Sequence, residues 1–329
     1  FHALKILIAY GVLNFMFGYA LEYVKCRTRA IQLAMLLFFV SINLLALFFY
    51  KYSYWVVSML HSGGLASSID AKPQALPLGI SFFTFHAISY LIDISRGELN
   101  GRNNVINFLA YFFMFPHLIA GPIVRFKQMK EYISDRGRDG DLFTFGLYRF
   151  ILGVNKKILI ANSAAPLANM AFMYNVESLS TMDAWLGVIA YHVQIYFDFS
   201  AYSDMAIGLA AMAGFKFNEN FNAPYQSRSV KEFWRRWHIS LSTWLKDYVY
   251  IPLGGSRVST SRLYFNLVAV FFLCGLWHGA NLTYVIWGLY NGLFMIMERL
   301  FLSKYLEKLP SFFSHAYLIL FLFMGWVMF

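Results

Sequence analysis

Charged side chains are scarce in this chain: Asp, Glu, Lys and Arg make up 13% of its 329 residues, against about 25% in ordinary soluble domains. With 59% hydrophobic and 20% aromatic residues beside it, that deficit excludes a water-soluble globule. Acidic residues are the scarcer kind, 17 against 27 Lys and Arg, for a formal net charge of +10. In so apolar a chain the basic excess belongs to cytoplasmic loops and anionic lipid headgroups. Membrane lipids are therefore expected partners and nucleic acid is not. Cysteine is nearly absent. Cys26 and Cys274 are far apart, which excludes a disulfide framework or a paired-cysteine metal site. No internal repeat or low-complexity linker divides the sequence, so a single membrane-embedded domain over 1–329 is expected. The start at Phe1 and the apolar finish at Phe329 suggest an excerpt lacking terminal helices.

What is present is a series of apolar segments, each close to the roughly 20 residues that cross a bilayer core. They lie near 3–24, 31–50, 75–95, 105–124, 143–162, 184–214, 263–280, 282–302 and 312–329. They predict an all-α polytopic membrane protein. The 184–214 stretch is long for one span and contains Asp198, Ser200, Ser203 and Asp204, so two short segments or a broken helix are expected there. Lys25, Arg27 and Arg29 predict a cytoplasmic loop, as do Arg96 and Arg102. Strict alternation then puts Arg125, Lys127, Lys130, Arg136 and Arg138 outside, against the positive-inside tendency. A re-entrant or broken segment at "FPHLIAGP", with Pro116, Gly121 and Pro122, relieves that conflict. Sidedness stays open.

The least lipid-like stretch runs from Lys216 to Arg262. Its first part, "FKFNENFNAPYQS", reads as a loop. In "WRRWHISLSTWLKDYVYIPLGG", helical periodicity collects Trp234, Trp237, Leu241, Trp244, Leu245 and Tyr248 on one stripe, with His238 at its edge. A cationic amphipathic helix with tryptophans on its apolar side is expected at the membrane interface. Further on, His278 ends an apolar run from Leu267 to Trp277 in "LCGLWHGANL". A protonated imidazole is costly in hydrocarbon, and a neutral one needs partners there.

Taken together these segments resemble a known family. "FDFSAYSDMAIG" at 197–208, "NFNAPY" at 220–225, "EFWRRWHISLSTWLKDYVYIPLGG" at 232–255 and "GLWHGANLTYVIWG" at 275–288 occur in that order. The set is similar to the membrane-bound O-acyltransferase (MBOAT) superfamily. "PLGISFFTFHAISYLID" and "FPHLIAGPIVRF" narrow the likeness to the bacterial branch that O-acetylates alginate and related exopolysaccharides. The resemblance covers roughly Leu76 to Arg299. Ala201 departs from it, standing where the branch usually has Gly. The resemblance implies a multi-helix bundle with re-entrant or broken helices and an interfacial amphipathic helix around a central tunnel. It implies that His278 is catalytic and that His238 is the second family histidine. It also implies acetyl-CoA as acyl donor with no bound cofactor or metal, and a bacterial cytoplasmic (inner) membrane location. A periplasmic acetyltransferase partner and an exopolysaccharide acceptor complete the picture.

The residues support that chemistry independently. Acyl transfer from a thioester to a hydroxyl needs a base for the hydroxyl proton, and imidazole suits neutral pH. Apolar surroundings keep His278 neutral and exclude water. Arg235, Arg236 and Lys246 can meet coenzyme A phosphates or lipid headgroups. Asp198 and Asp204 can orient an imidazole, bond a sugar hydroxyl or pair with an arginine. Asn281 fits a hydrogen-bonding role or a helix cap. Gly275 and Gly279 suit close helix approach. Cys274, one turn before His278, reads as a small hydrophobe before it reads as a nucleophile. Two other classes share these features: a cell-wall O-acyltransferase acting on peptidoglycan or transferring D-alanine to teichoic acid, and a polysaccharide transporter without acyl chemistry.

Overall fold

The computed structural model describes residues 2–25, 27–64, 74–134, 139–173 and 179–329. Cys26, Arg136 and Arg138, named above, lie outside them. The described residues are helical with no strand among them. They form two compact units, Phe1–Asp139 with Gly214–Lys216, and Gly140–Ala213 with Phe217–Phe329.

The first unit contains α1 (His2–Val24), α2 (Arg29–Leu47), which runs through a π turn into α3 (Ser53–Ser62), α4 (Ile80–Ser95), α5 (Val105–Phe112), α6 (Phe115–Leu118) and α7 (Phe126–Ser134). A buried asparagine pair inside it bonds across helices, as polar groups in an apolar setting favour. Asn14 and Asn43 exchange side-chain hydrogen bonds at 3.0 and 2.9 Å between α1 and α2. His86 and His117 stack at 4.5 Å in the buried core. The interruption expected at "FPHLIAGP" is present. α5 stops at Phe112, Pro116 sits at the start of the four-residue α6, and α-helix resumes only at Phe126.

The second unit contains α8 (Gly140–Asn155), followed by a π turn and α9 (Asn162–Met173), then α10 (Thr181–Met212). Next come α11 (Val230–Arg236), α12 (Ile239–Leu245) and α13 (Thr260–His278). α14 (Leu282–Met297) continues through a π turn into α15 (Ser303–Leu306), and α16 (Ser311–Val327) closes the chain. The 184–214 stretch is not broken. α10 is one helix of 32 residues, opened by a capping box between Ser180 and Asp183. Its carboxylates are tolerated because cations meet them: Lys157 Nζ reaches Asp198 at 2.6 Å, while Arg149 Nε and Lys156 Nζ reach Asp204 at 2.7 and 2.6 Å. Ala201 is fully buried against α8, where a Cβ on Gly153 would come 2.7 Å from its carbonyl oxygen. The methyl group that replaces hydrogen at 201 is accommodated.

Of the segments read as spans, four described stretches are long and apolar enough to cross a membrane: Leu4–Val24, Arg29–Ser62, Thr260–His278 and Leu282–Leu306. Ile80–Ser95 and Ser311–Val327 are apolar but shorter.

Candidate active site

The site lies in the second unit, where α13 and α14 cross at close range. Gly275 makes the approach possible: a Cβ there would strike the Tyr284 carbonyl oxygen and come 3.2 Å from Gly288 Cα. His278 ends α13 at this crossing and is half-buried. Aromatic rings surround it, with Trp277, Trp287 and Phe329 at centroid distances of 4.9, 5.2 and 4.8 Å. All three meet it edge to face, the geometry favoured by ring quadrupoles.

The amphipathic helix expected within 234–255 is corrected by the backbone. It breaks at His238, which adopts the left-handed conformation at φ 42° and separates α11 from α12. A non-glycine residue there costs about 1–3 kcal/mol and persists only when its surroundings over-determine it. They do. The Ile239 N–H donates to the Asn220 carbonyl and the Asn222 N–H to the Arg236 carbonyl, both at 2.9 Å. The predicted stripe is apolar but faces protein: Trp234, Trp237, Leu241, Trp244, Leu245 and Tyr248 are all buried. His238 is buried too, rather than interfacial, packed edge to face on Phe199 at 4.7 Å and near Trp277 at 6.0 Å. Trp277 thus touches both histidines. Burial lowers the His238 imidazole from 6.5 to about 3, so it is neutral at physiological pH.

A cavity of about 620 Å³ opens beside α12 and α13. Its basic lining residues Lys231, Arg235, Lys246 and Arg299 are exposed, whereas Trp234, Leu241, Phe271 and Cys274 are buried, as is the acidic lining residue Glu298, whose carboxylate is taken up by backbone N–H groups of α11. It therefore grades from a cationic rim to an apolar interior that ends one helical turn from His278. The Ser242 hydroxyl lines it, buried and without a hydrogen-bond partner among the described residues. An anionic head with an apolar or thioester-bearing tail fits this gradient. A second cavity, about 480 Å³, is lined by Arg149, Lys156, Ser200, Asp204 and Asn220. Ile239, next to His238, borders both.

The chain's sequence matches the profile of MBOAT, the membrane-bound O-acyltransferase family, over residues 36–329. It belongs to that family. The MBOAT chain is 48% identical over 293 residues to "Probable alginate O-acetylase AlgI" of Pseudomonas aeruginosa, covering 88% of this chain and 55% of that protein. It is 43% identical over 331 residues to the Azotobacter vinelandii protein of the same name, covering 99% of this chain and 65% of the relative. A "Peptidoglycan O-acetyltransferase" of Helicobacter pylori is 33% identical over 349 residues, with 97% and 66% covered. The chain thus spans between about half and two thirds of the length of the AlgI relatives.

Within this MBOAT site the sequence-predicted residues separate. Arg235 and Lys246 line the cationic rim. Arg236 does not line that cavity: it pairs with Glu232 at 2.9 Å and donates to the Asn222 carbonyl at 3.3 Å, so it braces the loop. Asp198, 41% exposed, is held by Lys157; Asp204 is the buried carboxylate of the pair. Asn281 is an exposed cap, its side chain accepting from the Thr283 N–H at 3.2 Å. Two supports went unread in the sequence. Asn220 lies in the quoted "NFNAPY", but nothing in a loop of asparagines marks which one turns inward. Glu298 was legible by principle, as a lone carboxylate in an apolar segment. Its oxygens accept the Val230 and Lys231 N–H groups at 2.6 and 3.1 Å and cap α11.

Proposed function

We propose that this chain is the membrane-embedded part of an enzyme that O-acetylates an extracellular polysaccharide such as alginate, with acetyl-CoA as donor, in a bacterial cytoplasmic membrane. The substrate class rests on the AlgI relatives, 48% and 43% identical, against 33% for the peptidoglycan enzyme. The chemistry rests on one observation: a half-buried histidine in an aromatic surround, one turn beyond a cavity that grades from cationic to apolar.

In this reading Arg235, Lys246 and their neighbours hold the phosphates of coenzyme A, and the acetyl thioester lies inward along the apolar lining. His278 takes the proton of the acceptor hydroxyl as its oxygen bonds to the acetyl carbon. The C–S bond breaks, and the departing thiolate takes up that proton from the imidazolium. Trp277, Trp287 and Phe329 exclude water, which would otherwise hydrolyse the thioester. His238, in contact with the same tryptophan, is the second histidine of the proton path. The acceptor hydroxyl belongs either to the polymer or to a periplasmic acetyltransferase that passes the group on.

The test follows label from acetyl-[¹⁴C]CoA given to the purified protein, with and without polymer and candidate periplasmic partners. Label appearing on polymer or partner, dependent on His278, supports the reading. Polymer movement across sealed vesicles without consumption of acetyl donor overturns it in favour of a transporter.

A further inference from the structure

The hydrogen bonds around Asn220 carry directions that can be assigned. The Ser240 backbone N–H, which can only donate, reaches Asn220 Oδ1 at 3.2 Å, and the Ser240 hydroxyl donates to the same oxygen at 2.8 Å. The amide is therefore oriented, with its nitrogen donating to the Ser203 hydroxyl at 3.0 Å. His238 Nδ1 lies 3.3 Å from the same Oδ1. An amide oxygen only accepts. Nδ1 must then carry the imidazole proton, which leaves a lone pair on Nε2. That nitrogen is buried, with no hydrogen-bond partner among the described residues.

The arrangement is rigid as well as directional. Asn220 is fully buried, and its carbonyl fixes the Ile239 N–H immediately after His238. One residue thus holds the ring through its side chain and the strained backbone through its main chain. A hydrogen bond to one ring nitrogen commonly sets the tautomer of a catalytic imidazole in this way.

We propose that Asn220 is a positioning residue for acyl transfer, fixing His238 as the Nδ1–H tautomer so that Nε2 keeps its lone pair for a hydroxyl or thiol proton of the reacting substrates. This rests on the reading above, in which His238 shares the proton path with His278. A neutral amide suits the task better than a carboxylate would. It orients the ring without drawing it toward the imidazolium, which has no lone pair to offer.

The test uses the full chain in lipid nanodiscs with ¹⁵N-labelled histidine. Ring-nitrogen shifts separate protonated from bare nitrogens, and His238→Gln assigns the His238 signals by difference. The wild type is expected to show a protonated Nδ1 and a bare Nε2; a protonated Nε2 overturns the proposal. Asn220→Ala is expected to mix the tautomers and lower kcat on the order of tenfold or more, leaving KM for acetyl-CoA unchanged. Asn220→Asp keeps an acceptor and so the Nδ1–H tautomer, but its charge should move the acid limb of the pH–rate profile to higher pH. Unchanged kcat and tautomer in Asn220→Ala overturn the role of Asn220. Full activity in His238→Gln instead removes the catalytic reading of His238, and the positioning role with it.

Discussion

Glu298 holds the start of the histidine-bearing segment, its Oε1 accepting the Val230 N–H at 2.6 Å across 68 residues of sequence. The same oxygen accepts from the Tyr317 hydroxyl at 3.2 Å, and Oε2 takes the Lys231 N–H at 3.1 Å. A carboxylate at a helix N-terminus is favoured by the unsatisfied N–H groups there. One apolar helix thereby fixes where the Arg235 side of the cavity begins.

Glu298→Ala should therefore destabilise the second unit. Hydrogen bonds to a charged group contribute about 1.5–3 kcal/mol each, and their loss here leaves buried donors unpaired. Glu298→Gln keeps one acceptor oxygen and should lose less. Thermal unfolding in detergent, read by tryptophan fluorescence, checks this. Equal Tm values for wild type and Glu298→Ala would show that the cap is not holding α11.

His278→Ala should abolish acetyl transfer while leaving the protein folded, because the side chain is only half-buried among rings that remain to pack. Loss of a general base typically costs about 10²–10⁴-fold. Cys274 is buried and lines the cavity one turn away. Cys274→Ser should retain most activity, whereas its complete inactivation would point to a cysteine nucleophile. Radiolabel transfer, normalised to folded protein by gel filtration, measures both.

Arg235 and Arg236 are adjacent, yet they should behave differently. Arg235 lines the cavity, so Arg235→Ala should raise KM for acetyl-CoA more than it lowers kcat. Arg236 is bound to Glu232 and to the Asn222 carbonyl. Arg236→Ala should instead loosen the loop that carries Asn220 and lower kcat and Tm together. Steady-state kinetics on the two variants decide it, and identical profiles would remove the distinction.

The helices were legible because apolar runs of spanning length have few alternatives in a chain this poor in charge. The break at His238 was not, and the reason is local. Trp237 still donates to the Phe233 carbonyl, and Ser242 still donates to the His238 carbonyl at 3.0 Å. Helical bonding persists on both sides of a single left-handed residue, so the periodicity of tryptophan and leucine reads straight through it. Periodicity also reports which face is apolar, never what covers it; the stripe expected to meet lipid is buried in protein. The two carboxylates of α10 illustrate a further limit. Asp198 and Asp204 are six residues apart, a turn of about 240° around a helix. A segment apolar on every side gives no sign of which one faces inward. The pairing of Asp204 with Arg149 and Lys156 depends on a helix about 50 residues earlier, and no local pattern encodes it.

Burial of His238 has a consequence in acid. Its imidazole is lowered from 6.5 to about 3, so between those values the unfolded chain binds a proton that the folded chain refuses. Stability from this group is complete above about pH 6.5 and falls as pH drops through the window, by up to about 1.4 kcal/mol per unit. Other titrating groups add their own pH dependence, so the wild-type profile alone does not isolate His238. A difference does. His238→Gln carries no titrating ring, and its Tm should depend less on pH than that of the wild type. The wild type should lose ground to the variant steadily between about pH 7 and about pH 4. A gap in Tm that stays constant over that range would mean that His238 is solvated or charged in the folded protein, and that its Nε2 is not the buried lone pair on which the proton path depends.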